Sequence, residues 1–277
     1  MTIHSAPPSS TRPPAWKGMV AVDDTALAVT DTGGTGVPVL YLNGQFATQG
    51  YWRRVLGDLG PRYRHITYDE RARGRTSKRS ADYSFEAAVR DVDAVLAARG
   101  VERAVIAGWS YGAFVAAHWT SRNPRRAIGA VLVEGAEPYD WLTEDLERRI
   151  RRQFRLWYPL MVLLRPTGLT PRMSHRQMSE CNIELGRIGS ARALGPVLDA
   201  ITVPTRYVLA SGASLGSKGD EQELIRAAVP AVTERNPHIR LGAKVASNHD
   251  AILKKDFRAV ADAVREVTAL DRPGTAG

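Results

Sequence analysis

Cysteine is almost absent from this chain: Cys181 is the single one in 277 residues. A disulfide framework is therefore excluded, and nothing points to an oxidising compartment. The surroundings of that thiol, Ser179-Glu180-Cys181-Asn182, supply neither a base nor a primed turn, so it reads as a packing residue. Long apolar runs are missing too. A bilayer span takes roughly 18–20 apolar residues, and the nearest stretch, 156–164, is too short and contains Pro159. Residues 1–16 are rich in Pro and Ser and carry no apolar segment. They read as a flexible tail rather than a secretory signal, and 271–277 are taken as a second tail. The expectation is a soluble, cytoplasmic protein with no membrane partner. The net charge of +9 comes mostly from scattered arginines. No helix-turn-helix, zinc or RNA-binding signature accompanies it, so the arginines read as solvated and no nucleic-acid partner is expected. The cluster Gly33-Gly34-Thr35-Gly36 lacks the lysine of a phosphate-binding loop and opens a strand, which makes it a turn. No metal and no cofactor is implied, no internal repeat is found, and the oligomeric state leaves no mark.

What is present is an alternation. Short strands are expected at 19–22, 26–29, 37–42, 65–68, 105–108, 128–133, 207–210 and 239–245. Helices are expected at 51–59, along the face Phe85, Val89, Val92 and Leu96, after 112, at 221–229, and as one closing helix at 251–270. The polar stretch 69–83 has no apolar period and reads as a loop. Strands alternating with helices mean an α/β fold: a mostly parallel, doubly wound eight-stranded sheet with helices on both faces. Residues 135–201 break the pattern. Leu142, Leu146, Ile150, Phe154 and Trp157 form one stripe of an amphipathic helix, with Arg148, Arg149, Arg151, Arg152 and Arg155 opposite. Pro159 is expected to kink or end that helix, and more helix is expected at 175–185 and 191–198. A core of 17–134 and 202–270 with a helical cap at 135–201 follows. Such a cap lies over the sheet edge where ligands bind in open parallel sheets.

The motif that carries chemistry is Gly108-Trp109-Ser110-Tyr111-Gly112, a G-x-S-x-G between an apolar strand and a helical run. In a nucleophile elbow the turn strains the serine backbone and lifts its hydroxyl above the sheet. The residues two before and two after must be small, which Gly108 and Gly112 are. A serine hydroxyl needs a base. Of six histidines, His249 alone occupies a polar loop, Ser247-Asn248-His249-Asp250, between the last strand and the last helix. The imidazole in turn needs an acid to hold its tautomer. The loop after strand 207–210, residues 211–216, has none. Glu134, directly after the apolar strand end Val131-Leu132-Val133, is the first candidate; Glu137, Asp140 and Asp220 remain open. The oxyanion hole needs two backbone amides. Tyr111, at the head of a helix, supplies one, and Gln45, in the turn Asn43-Gly44-Gln45-Phe46, the other. The Gln45 side chain either adds a donor or points at substrate.

These residues resemble the α/β-hydrolase fold superfamily, of the capped serine esterase or lactonase type. The likeness spans nearly all of 17–270. It includes the Asn43-Gly44-Gln45 turn followed by Trp52. It also includes the run Asp69-Glu70-Arg71-Ala72-Arg73-Gly74-Arg75-Thr76-Ser77, which is similar to the family's D-x-R-G-x-G-x-S with one extra residue. The order serine, acid, histidine is the family's, and an acid after the sixth strand resembles some haloalkane dehalogenases and zearalenone-type lactonases. Asn43 stands where most relatives have His, and the usual late Asp is missing. The resemblance implies hydrolysis of an ester or lactone of a small-molecule substrate by way of an acyl-enzyme. Dehalogenation and epoxide hydrolysis use a carboxylate nucleophile, which Ser110 is not. A lyase, cofactor-free oxidase, acyl transferase or cyclase on the same parts is the alternative, and a non-catalytic ligand-binding relative a further one. Phe46, Trp109, Trp141, Phe154 and Trp157 are expected to line an apolar substrate pocket.

Overall fold

The computed structural model describes residues 13–76, 78–168, 170–212 and 219–271, without the side chains of 219–221. His4, most of the two expected tails, loop residues 213–216 and the Asp220 side chain thus lie outside the described residues. Eight strands form one sheet: β1 Trp16–Val22, β2 Thr25–Asp31, β3 Val37–Leu42, β4 Tyr63–Asp69, β5 Ala104–Trp109, β6 Ala127–Val133, β7 Thr205–Ala210 and β8 Ile239–Val245. Their spatial order is β1-β2-β4-β3-β5-β6-β7-β8. The first two are antiparallel to their neighbours, and from β4 to β8 every pairing is parallel. Tail and sheet meet early: Trp16 already pairs with Asp31 and lies under the Arg99 guanidinium. The first strand therefore begins at Trp16, inside the expected tail.

A strand buried on both faces has no polar side to alternate with. That is why β5 and β6 are apolar throughout and buried at every position. The period of two sorts their side chains into two cores. Leu40, Leu42, Ile106 and Leu132 face one way, with α2 (Phe85–Ala98) and α3 (Tyr111–Arg122). Val39, Tyr41, Val105, Val131 and Val133 face the other, with α1 (Arg53–Leu59) and the last helix.

Between β6 and β7 stand α4 (Glu144–Leu163), α5 (His175–Ile188) and α6 (Ala191–Asp199), each begun by a side-chain cap from Thr143, Ser174 or Ser190. Two expectations need correcting, and of the two outcomes expected at Pro159 one is excluded. Pro159 does not end α4, which runs on to Leu163. Pro159 and Arg155 both sit on the exposed side, so the carbonyl deprived of its helix partner is within reach of water. The segment expected as 221–229 is two helices, α7 (Gly219–Arg226) and α8 (Val229–Arg235), with Pro230 starting the second. The closing helix also divides, into α9 (Ile252–Lys255) and α10 (Phe257–Leu270). Asp256 at the break turns its carboxylate to the Ser247 amide, 3.1 Å away, tying the helix start to the loop that carries His249.

Candidate active site

The turn from β5 into α3 puts Ser110 at φ 54°, ψ −119°, a left-handed backbone that a non-glycine residue adopts only under constraint. The constraint is the closeness of the two elements. A Cβ on Gly108 would lie 2.1 Å from the Gly112 carbonyl oxygen, and one on Gly112 would lie 2.3 Å from that of Leu42. Only glycine fits either position. Gly135, just after β6, closes on the same turn: a Cβ there would lie 2.3 Å from the Ser110 carbonyl oxygen.

His249 arrives from the loop after β8, 139 residues later, and its Nε2 lies 3.0 Å from Ser110 Oγ. Its own loop is fixed at both ends. Trp109 donates from Nε1 to the His249 carbonyl at 3.1 Å, and Asn248 caps the next turn by accepting from Ala251 N. Behind the ring, Nδ1 lies 3.5 Å from Glu134 Oε2. Glu134 sits directly after β6 at φ 47°. Its carboxylate accepts from Ala210 N at 2.5 Å and from Arg226 Nε and an Arg226 terminal nitrogen at 3.1 and 2.9 Å. Burial alone raises a carboxyl pKa; here the bonds from His249, Arg226 and the Ala210 amide outweigh it, and Glu134 is held below the ordinary range. Arg226 escaped the sequence reading. Its partner is 92 residues distant, and no local pattern marks it.

Two other histidines are engaged elsewhere. His65 is bonded to Tyr41 and to the Gly60 carbonyl, and His118 is buried beside Arg122 with its pKa lowered to about 4. Of the other acids considered, Asp140 accepts from Ala191 N in the helical insert. Glu137 is buried on the wall of the serine cavity.

Asn43 is the frame of the second turn. Its side chain donates to the Tyr68 carbonyl (2.7 Å) and to Glu70 (3.1 Å) and accepts from Trp52 (3.1 Å), while its amide donates to Glu70 (3.1 Å). A Cβ on Gly44 would lie 2.8 Å from the Trp109 ring, and Phe46 is at φ 64°. The Gln45 side chain is tied to the insert: its carbonyl accepts from Asn182 at 2.8 Å. Tyr111 opens α3, where the first-turn amides have no helical acceptor.

A cavity of about 200 Å³ lies over Ser110 and His249. Phe114, Trp141, Leu185 and Ile225 form its apolar wall, and Glu134, Glu137, Gln222 and Arg226 its polar one. Of the five aromatic residues expected there, only Trp141 lines it. Trp109 lies beneath the serine, stacked on Tyr51 at 5.3 Å. Phe46 and Phe154 meet edge to face at 5.9 Å beside Arg73 and the small core around Met178. Trp157 is 55% exposed. Steps of four from Ile150 lead through Phe154 to Tyr158, so residue 157 has already drifted off the inward stripe. A wider groove of about 890 Å³, lined by Arg148, Arg151, Arg152 and Arg155, lies on α4 and α5 and contains none of these groups.

Sheet order, the strained serine between strand and helix, and a histidine ahead of the closing helix together define an α/β-hydrolase. The family model for that fold matches residues 37–176, and the chain belongs to the α/β-hydrolase fold family. It is 25% identical over 244 residues to a haloalkane dehalogenase of Mesorhizobium japonicum, covering 87% of this chain and 68% of that one. Among solved structures it is similar to the enol-lactonase of Burkholderia xenovorans LB400, with TM-score 0.71 at 17% identity over 91% of this chain and 100% of that one. A thermophilic esterase of Thermogutta terrifontis gives TM-score 0.64 at 19% identity, over 93% and 99%. At such identities the two structures speak for the fold alone.

Proposed function

We propose that this protein is a serine hydrolase that cleaves an ester or lactone of a small, largely apolar molecule through an acyl-enzyme. The observation that carries the reading is the 3.0 Å contact between Ser110 Oγ and His249 Nε2, with Glu134 behind the ring. Ser110 attacks the carbonyl carbon while His249 takes its proton; the C–O bond to the leaving alkoxide then breaks and His249 returns the proton to it. Water, deprotonated by the same imidazole, cleaves the acyl-enzyme and restores the serine. Glu134 holds the ring and balances the imidazolium. The Gln45 and Tyr111 amides face the oxygen that becomes negative, with the α3 dipole behind the second. The helices of 135–201 act as a cap that closes the cavity with Trp141 and Leu185. A relative that is a dehalogenase does not argue for halide chemistry here, because that reaction takes a carboxylate nucleophile and this elbow presents a hydroxyl.

The test is hydrolysis of short-chain p-nitrophenyl esters together with labelling by a fluorophosphonate. We expect turnover and labelling in the native chain, and a loss in kcat on the order of 10⁴-fold or more in Ser110→Ala and in His249→Ala. Labelling without ester turnover, restored by an added amine or alcohol acceptor, would replace hydrolysis by acyl transfer. Unchanged turnover in Ser110→Ala would remove the reading altogether.

A further inference from the structure

The proposed mechanism uses one carboxyl of the loop after β6 and leaves a second one in the same cavity. Glu137 is three residues beyond Glu134, is 7% exposed, and lines the space that Ser110 and His249 open into. Its surroundings can be taken group by group. Arg226, from α7, lines the same cavity, and its Nε and one terminal nitrogen are bonded to Glu134; that terminal nitrogen also reaches the Gly212 carbonyl and Gln222. Tyr207, from β7, spends its hydroxyl on the Ala136 carbonyl at 2.6 Å. His249, from the loop after β8, faces Ser110 and Glu134. Phe114, Trp141, Leu185 and Ile225 complete the wall. Among the described residues, no side chain is hydrogen-bonded to the Glu137 carboxyl, which meets only its own backbone amide and lines the cavity.

We propose that Glu137 is a substrate-specificity residue: its carboxyl donates a hydrogen bond to a second, neutral oxygen of the substrate, so the preferred esters carry an ether, keto or hydroxyl oxygen a few atoms from the scissile carbonyl. This deepens the hydrolase reading and rests on it. A donor is required because two ionised carboxylates on one buried loop repel each other, and the guanidinium beside them is already shared with Glu134. Burial first, and the Glu134 charge second, push Glu137 up to about 8. It thus carries its proton at neutral pH, as a donor in an otherwise apolar wall must. The same arrangement disfavours a substrate carboxylate in this part of the cavity while Glu134 stays ionised. A site built to hydrogen-bond one oxygen discriminates against the analogue that lacks it, because the buried group is then left unpaired.

The experiment compares p-nitrophenyl 3-methoxypropanoate with p-nitrophenyl pentanoate, which differ by one oxygen for one methylene, in the native chain, Glu137→Gln, Glu137→Leu and Ser110→Ala. The measured quantity is the ratio of kcat/KM for the two esters within each protein, which cancels general damage. We expect the native chain and Glu137→Gln, whose amide still donates, to favour the ether ester. In Glu137→Leu the ratio falls about tenfold. As pH rises through about 8, the native preference disappears, while that of Glu137→Gln persists. A ratio that is the same in all three and independent of pH overturns the proposal, and so does a native chain without preference. If Glu137→Leu does not fold, the pH-dependence in the native chain and its absence in Glu137→Gln decide alone. Both outcomes leave the hydrolase reading standing so long as Ser110→Ala abolishes turnover of both esters; turnover persisting there sinks that reading instead.

Discussion

Replacing Arg226 by methionine tests how the acid behind His249 is kept ionised. The side chains of Arg226 and Glu134 are 5% and 3% exposed, and two bonds of 3.1 and 2.9 Å join them. Methionine keeps most of the volume and removes the charge. What then remains at Glu134 is the Ala210 amide and the His249 ring. Removing one partner of a buried pair costs about 3–5 kcal/mol, because the other charge is left without compensation. For a chain of this size that is a fall in Tm on the order of 10 °C. The pH dependence has a definite sign. In the native chain the Glu134 pKa lies below its unfolded value of 4.5, so its contribution is fully present above that pH and is lost as pH falls through the folded pKa. Without Arg226 the desolvation is no longer outweighed and the folded pKa moves up. The variant should therefore be much less stable than the native chain at pH 7, and the gap should narrow as pH falls from the variant's raised folded pKa through the native one and Glu134 takes a proton. The acid limb of kcat/KM should shift to higher pH in parallel. Arg226→Lys, a point charge that cannot span both oxygens, should recover only part of the loss. Urea denaturation at pH 7 and pH 4 reads the stability. A loss under 1 kcal/mol at pH 7, or a gap that widens in acid, would refute the reasoning.

Other perturbations follow from the same geometry. Gly112→Ala puts a methyl 2.3 Å from a backbone oxygen; it should cost about 3 kcal/mol or more by thermal denaturation and abolish fluorophosphonate labelling. Asn43→Ala leaves the buried Trp52 indole and Glu70 short of partners. We expect about 2–4 kcal/mol lost in urea, and kcat lowered more than KM is raised, as the Gln45 amide shifts. His118 is neutral in the folded chain, with a pKa of about 4 against 6.5 unfolded, so native stability should drop as pH falls below 6.5. That drop is about 2 kcal/mol by pH 5 and should be absent in His118→Leu when the two are compared by urea denaturation. Trp157→Ser, on the exposed side of α4, should change stability by no more than about 0.5 kcal/mol and leave ester turnover unaltered.

Much of this molecule was legible before any coordinates, for reasons that are local. A strand buried on both faces must be apolar along its whole length, so β3, β5 and β6 announce themselves and their place in the sheet centre. The serine turn is equally local: its steric rule concerns residues two before and two after, and Gly108 and Gly112 satisfy it in the sequence itself. His249 was picked out by a polar loop between the last strand and the last helix. Other features depend on what comes near from elsewhere in the chain. Whether Pro159 ends a helix turns on whether the orphaned carbonyl meets water. Whether the final helix is one piece turns on Asp256 finding the Ser247 amide. Which aromatic residues face the cavity depends on packing: Trp141, ahead of α4, lies against Gly186 of α5 and reaches the cavity, while the drift along α4 leaves Trp157 in solvent. The clamp of Arg226 on Glu134 joins buried residues 92 positions apart. Charge, burial and distance set such a pair together, and only the folded chain has a value for all three.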